Sequence, residues 1–429
     1  MRSHRRSEES STPFPISVSD RCCPLLTPRR FFSLSLSMNR RTFLVTASTA
    51  LISAQLPSAH HSPRRVAVIG HTGRGNYGHG LDVVWKMIPN VEIVGVADQD
   101  EEGLAKALAK LNIQAGFRDY RKMLKTTRPE FVTIAPRHPD QHLAMALAAI
   151  EAGVKGLYIE KPFCRNPAEA DRIIAAADRT GATIAVAHRN RYHPVLPVIE
   201  SLIAKGTIGR LLEMKGFGKG DRRGGGEDLW VLGGHVFNLI NYFGGTPVSG
   251  SATILQDGKL AGKKDVVEGA EGLGLLVGNE IHARWLLSSG VTVTYTTFTN
   301  DGSNSQGYSL QLIGSEGTIT IYIDMTQFAW LSSGNRVDRT TNKQTPIPIT
   351  TAGLGKVETQ LDLIKKVQNH VVGVQDLIAA VDAKRAPLCD ALQAALTIEM
   401  TCGVFESHRQ GGGHVSYPLV ERGNPLSKL

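Results

Sequence analysis

Cysteine is scarce in this chain: five in 429 residues, two of them adjacent at Cys22 and Cys23. The remaining three, Cys164, Cys389 and Cys402, are too few and too scattered for a disulfide framework. No group of cysteines and histidines has zinc-like spacing, which excludes a metal knot. Long apolar runs are also missing, and none reaches the roughly 18 residues of a membrane span. No internal repeat is present. The net charge of +9 suggests nucleic acid at first sight, but residues 1–63 hold eight arginines against three acidic side chains. That surplus of five leaves only +4 for residues 64–429, which removes the argument for a nucleic-acid partner. What is there is ordinary and globular: 41% hydrophobic and 20% charged residues supply a sizeable core. The length exceeds one core, so two domains plus extras are expected.

From residue 64 a regular pattern begins. "RRVAVIG" is a β-branched run, "NYGHGLDVVWKMI" suits a helix with Leu81, Val84 and Ile88 on one side, and "VEIVGVADQD" is a second strand. "EEGLAKALAKLNI" reads as a helix, "FVTIAP" as a strand, "PDQHLAMALAAIEAG" as a helix and "GLYIEKPF" as a strand. Strands alternating with helices indicate parallel βαβ units, and near-continuous apolar strands indicate a sheet covered on both faces. The expectation is a Rossmann-type doubly wound domain over residues 64–187.

Its first turn reads "GHTGRGNYG". With Gly70 ending the strand, Gly75 falls at the third glycine of a dinucleotide fingerprint, Thr72 takes the middle position and Gly73 stands beside it. A second register, Gly73, Gly75 and Gly78, matches G-x-G-x-x-G literally but begins too late after the strand. Glycines here let the backbone turn and approach a pyrophosphate. Asp98, at the end of the second strand, is placed to bind ribose hydroxyls. Its charge would repel a 2′-phosphate, which favours NAD over NADP. The alternative for Asp98 is a cap on the helix that follows.

The segments "FVTIAPRHPDQHLAMALAAIEAGVKGLYIEKPF", "AHRNRYHPVLPVIESLIAKGTIGRLLEMKG" and "VQDLIAAVDAKRAPLCDALQAALTIEM", with the strands "NEIHARWLLSSGVTVTYTTF" and "YSLQLIGSEGTITIY", resemble the Gfo/Idh/MocA family. This is the family of glucose–fructose oxidoreductase and inositol dehydrogenase. The resemblance implies that Lys161 of the Glu160–Lys161–Pro162 signature lies beside the nicotinamide and bonds the reacting hydroxyl, with Pro162 often following a cis peptide. Physically, a fixed cation at a strand's carboxyl end stabilises the alkoxide character that develops as hydride leaves carbon. The alternative is an ion pair closing a strand. By the same resemblance His235, in "LWVLGGHVFNLINYFGG", takes the position of the family's catalytic histidine and serves as the base. The chain departs from the family where an aspartate is usual four residues earlier: Val231 stands there, Asn238 stands three residues after, and Asp228 is a candidate substitute.

His142 and Pro136 align with the family's helix-leading histidine and loop proline, so either they touch cofactor or they shape the loop. Glu160 belongs with them. Arg189 and Tyr192 could face the substrate or join the domains. "GFGKGDRRGGGEDLW" is rich in glycine and therefore read as mobile: either a merely solvated loop, or a lid whose Lys219, Arg222 and Arg223 clasp an acidic or heavily hydroxylated sugar and whose Trp230 offers a stacking face.

Residues 188–429 are expected to form an α+β domain with a large, mostly antiparallel, open-faced sheet, because "VTVTYTTFT" alternates strictly. In the family such a face commonly packs on another subunit, which implies a homodimer or homotetramer. The leading function is NAD(P)-dependent hydride transfer at a hydroxyl of a sugar, inositol or related polyol. The alternatives are an NAD-dependent glycosidase working through transient sugar oxidation and a non-catalytic nucleotide-binding relative. Lastly, "MNRRTFLVTASTALISAQ", with Arg40 and Arg41, resembles a twin-arginine export signal within a leader over residues 1–63. It implies periplasmic or otherwise exported protein, since that route carries folded, cofactor-loaded chains; the alternative is a basic tail on a cytoplasmic protein.

Overall fold

Six short strands carry out the predicted alternation: β1 (Arg64–Ile69), β2 (Val91–Ala97), β3 (Gly116–Phe117), β4 (Phe131–Ile134), β5 (Gly156–Ile159) and β6 (Thr183–Val186). They form one sheet in the order β3-β2-β1-β4-β5-β6, and every pairing is parallel. The strand order reverses between β1 and β4, and ligands of such sheets bind beyond the carboxyl ends at that point. The computed structural model describes residues 62–335, 337 and 345–429; Arg40, Arg41 and the rest of the expected leader lie outside the described residues.

Side-chain alternation along β1 explains the two covered faces. Val66 and Val68 pack with Leu81, Trp85 and Leu111, whereas Ala67 and Ile69 pack with Met123, Leu124 and Met145. The helices α1 (Glu101–Leu111), α2 (Tyr120–Thr127), α3 (His142–Glu151) and α4 (Pro167–Thr180) supply these layers. Asp100 caps α1 by accepting from the Gly103 N–H at 2.7 Å, and Asn166 caps α4 through the Glu169 N–H. Val374 and Leu377, from a helix near the end of the chain (Val371–Ala383), join the first of these clusters. Residues 61–429 accordingly form one unit.

The expected helix over "NYGHGLDVVWKMI" is not formed. The segment runs through turns and closes with a single 3-10 turn at Val84–Met87. Gly78 and Gly80 hold φ of +59° and +83°, and Asn76 is also left-handed at +54°. Two interior glycines weaken a helix by about 1 kcal/mol each, and here tertiary contact decides the conformation. A Cβ at Gly78 would lie 2.5 Å from Glu160 Oε2, so the backbone of this turn is pressed onto the end of β5.

After β6, a 3-10 turn (Arg189–Tyr192) and α5 (Leu196–Ala204) lead into an eleven-stranded sheet. It is antiparallel except where β7 (Leu211–Phe217) lies parallel to Thr292–Phe298. The alternation read from the sequence holds: Val293 and Tyr295 are buried while the intervening threonines are half-exposed. One face packs on α7 (Gly233–Gly244) and the long helix Ala391–Arg409. Between β7 and α7 lies α6 (Gly226–Val231).

The glycine-rich stretch before α6 is not a loose lid. Gly218, Gly220, Gly224, Gly225 and Gly226 are all buried. A Cβ at Gly224 would sit 2.1 Å from the carbonyl of Phe298, and one at Gly218 would sit 2.0 Å from Asp228 Oδ2. These glycines allow close backbone approach to the sheet, and Arg223 is tied to Asp221 at 2.6 Å.

Candidate active site

Three strand ends converge. β4 runs into Ala135 and Pro136, β5 into Glu160 and Lys161, and β6 into Ala187 and His188. The ring nitrogens of His142 lie 2.8 Å from the Pro136 carbonyl and 3.2 Å from the Phe163 carbonyl. His142 is fully buried, and burial lowers its pKa. A neutral imidazole has one N–H, so His142 donates to one of these two carbonyls and packs between the loops after β4 and β5, the loop-shaping role open to it.

Glu160 is also fully buried. Its carboxylate lies 3.1 Å from His79 Nδ1 and accepts from the His79 N–H at 3.3 Å and the Lys161 N–H at 3.1 Å. Burial by itself would raise its pKa, but the hydrogen bond from His79 and the nearby positive charges outweigh that and bring it to about 2. Glu160 thus pins the glycine turn to the residue that precedes Pro162 by a cis peptide.

Lys161 is 7% exposed and its ammonium donates to the Val231 carbonyl at 3.3 Å. An ammonium carries three donors, and no second partner is shown among the described residues. Burial lowers its pKa, opposed by the charges of Glu160, Glu271 and Asp324. Val231 ends α6, and His235 stands in the first turn of α7 directly beyond it. His235 is 6% exposed, and its pKa is held well below the ordinary value by burial first, then by Lys161 and His188. Lys161 thus bonds the carbonyl four residues before His235, and its charge acts on that imidazole.

The orienting carboxylate is not Asp228. Its Oδ2 accepts from Thr297 at 2.6 Å, Tyr295 at 3.3 Å and the Lys219 N–H at 3.2 Å, which ties the glycine-rich stretch to the sheet. Instead, the Asn190 amide lies 3.4 Å from His235 Nδ1, and the His188 ring stands edge-on to it with centroids 5.4 Å apart. Tyr308 adds a ring 6.0 Å away, its hydroxyl donating to Asp324 at 2.8 Å. None of His188, Asn190, Tyr308 and Asp324 was picked out from the sequence. Tyr308 and Asp324 carry no motif; His188 had the signal that singled out Lys161, a polar residue directly after a buried strand.

Other expectations need correction. Trp230 is 2% exposed and packs in the core, so its indole offers no stacking face. Tyr192 donates to Asp376 at 3.1 Å, and Arg189 bonds Asp324 and the Gln368 carbonyl, both at 2.9 Å. These two act as links between elements.

At the nucleotide end, a cleft of about 250 Å³ opens over the carboxyl ends of β1, β2 and β3, lined by Gly70, His71, Asp98, Arg118, Gln141 and others. Asp98 accepts from the Thr72 N–H at 3.0 Å, the Thr72 hydroxyl at 2.7 Å and the Asp100 N–H at 3.0 Å. The helix-cap alternative falls to Asp100, not Asp98. Gly70 is required by the Tyr77 ring, which would lie 2.1 Å from a Cβ, and Gly75 by the backbone of Arg137 at 2.4 Å. Gly73, at φ +83°, faces open space.

Residues 64–188 match the model of an oxidoreductase family with an NAD-binding Rossmann fold. This segment is similar to the NAD-binding domain of the Gfo/Idh/MocA oxidoreductases. Over 125 residues the chain is 33% identical to D-apiose dehydrogenase of Paraburkholderia graminis, covering 29% of this chain and 33% of that protein. Over 137 residues it is 31% identical to trans-1,2-dihydrobenzene-1,2-diol dehydrogenase of Bos taurus, covering 31% and 40%. The matched part is thus a third to two-fifths of those relatives. Levoglucosan dehydrogenase in complex with NADH and L-sorbose superimposes with a TM-score of 0.66 over 84% of this chain and all of that one, at 17% identity, which shows a shared fold.

The segment's own geometry fits a dinucleotide. The cleft lies beyond the carboxyl ends of β1, β2 and β3 with Asp98 in its lining, Gly73 in the turn after β1 faces open space, and Lys161 holds unspent N–H groups at the tip of β5.

Proposed function

We propose that this protein is an NAD-dependent oxidoreductase acting on a hydroxyl of a sugar, inositol or related polyol, with Lys161 and His235 as its acid–base pair. The observation that carries the reading is the convergence of these two groups: Lys161 reaches the carbonyl of Val231 at the entrance to the helix of His235, and its charge depresses that imidazole. NAD, when bound, supplies the hydride acceptor. Burial keeps His235 neutral near pH 7, so it can accept the hydroxyl proton. Lys161 stabilises the negative charge that grows on the oxygen, and the dry surroundings strengthen that interaction. Asn190 steadies His235 Nδ1. Glu160 and His79 hold the glycine turn against the strand end that carries Lys161. The names of the relatives, dehydrogenases of apiose and of a dihydrodiol, agree with a polyol substrate.

The same reading extends to assembly and address. The half-exposed face of the large sheet, with Thr294, Thr296 and Phe298, is suited to cover by a second copy, and the leader at Arg40 and Arg41 to export. Purified full-length protein tests the whole. Absorbance and mass spectrometry are expected to find a nicotinamide dinucleotide, and NADH is expected to form with at least one free polyol from a broad panel. Retained NAD with no NADH from any sugar, inositol or diol overturns the dehydrogenase reading, and release of nitrophenol from a glycoside without net NADH replaces it with the glycosidase.

A further inference from the structure

His188 is the most isolated polar side chain of the site. It is 2% exposed, and neither ring nitrogen has a hydrogen-bond partner among the described residues. A neutral imidazole carries one donor and one acceptor, and leaving either unmet in the interior is destabilising. Its place is fixed by the backbone: His188 follows β6, and its N–H donates to the Val186 carbonyl at 2.8 Å. The ring lies against the start of α7, where a Cβ on Gly234 would meet His188 Cε1 at an ordinary contact distance of 3.5 Å. Lys161 and His235 flank it, and burial followed by the charge of Lys161 brings its pKa to about 3. It therefore stays uncharged.

We propose that His188 binds a second substrate hydroxyl, the one on the carbon next to the reacting carbinol, so that the site selects vicinal diols. A hydroxyl suits either unmet position, donating to the bare imidazole nitrogen or accepting from the N–H. Two imidazoles edge-to-face at 5.4 Å, each addressing one hydroxyl, match neighbouring hydroxyls on one carbon framework. The inference rests on the dehydrogenase reading for the identity of the first hydroxyl, but not for the presence of the second.

The test uses the NADH-loaded protein, in which a polyol binds without turnover. Calorimetry compares cyclic and open-chain vicinal diols with their monodeoxy analogues on the wild type, His188→Leu and His188→Asn. The wild type is expected to prefer the diol by about tenfold to a hundredfold. His188→Leu is expected to lose that preference and His188→Asn, which keeps a donor and an acceptor, to retain most of it. The melting temperature of His188→Leu is expected to be unchanged or higher, because an unpartnered polar ring has been removed; a packing role would lower it. A Leu variant that keeps the preference, a Leu variant that does not fold, or a wild type indifferent to the second hydroxyl overturns the proposal. Diol-selective binding without NADH formation in the NAD-loaded enzyme sinks the dehydrogenase reading and leaves this one standing.

Discussion

The strand ends around Asp98 and those around Lys161 are built on opposite rules. Polar groups of the glycine turn and its anchors, such as Asp98 and Glu160, are satisfied by neighbours: Asp98 by Thr72 and Asp100, and Glu160 by His79 and the Lys161 N–H. At the reaction end they are held back. His188 has no partner on either nitrogen, Lys161 has one long bond, and His235 has one contact at 3.4 Å. The difference teaches that one end is a prefolded frame, stable without a ligand, while the other carries a cost that a bound substrate would remove. Strained or unsatisfied groups persist where the rest of the fold over-determines them.

The largest effect expected to separate the ends is that of Lys161→Ala. Steady-state kinetics should show kcat/KM lower by on the order of a hundredfold or more, with a melting temperature unchanged or raised, since a poorly satisfied buried charge is removed. A fall in stability with activity intact would place Lys161 with the frame instead. Acid sensitivity comes next. His188 and His370 are both depressed to about 3, so below the ordinary histidine value of about 6.5 the unfolded chain binds protons that the native one refuses. Stability should therefore fall as pH drops from about 6.5 towards 3, by up to about 1.4 kcal/mol per pH unit for each ring. Glu160, at about 2, adds its loss only below the ordinary glutamate value near 4.3. Urea midpoints at pH 7, 5.5 and 4 measure this, and a flat profile contradicts the buried neutral rings.

Glu160→Gln should cost about 1–3 kcal/mol, because it weakens the bonds to His79 and the Lys161 backbone at a buried site. It should also shift the alkaline limb of activity. Glu160 raises the pKa of Lys161, so its removal lets the ammonium lose its proton at lower pH, and activity should decline earlier as pH rises. An unmoved limb would break the link drawn between frame and ammonium. The smallest effect is expected from Thr72→Val, about 1 kcal/mol of stability and weaker NAD binding, seen by fluorescence titration, with kcat unchanged.

Much of the fold was legible because its signals are local. Short buried strands between helices give a parallel sheet, and strict alternation gave the half-covered strand Thr292–Phe298. Lys161 and His235 were named from motif and strand end. The misreadings share one cause. Glycine was read as looseness at 216–226 and as part of a helix at 76–88, but in both places it permits close packing against Phe298 and against Glu160. Trp230 and Asp228 looked available because burial is not written in a window of ten residues. Tyr308 and Asp324 reach the site from a strand and turn with no distinguishing pattern.

The sequence by itself determined the alternation of strands and helices and which residue would stand at the tip of β5, since these follow from neighbours along the chain. Only the tertiary structure decided which polar groups find partners. Whether Asp98 is spent on Thr72, whether Asp228 serves the sheet rather than His235, and whether His188 is left alone depend on residues tens to hundreds of positions away, and hydrogen-bond satisfaction is settled by distance in space.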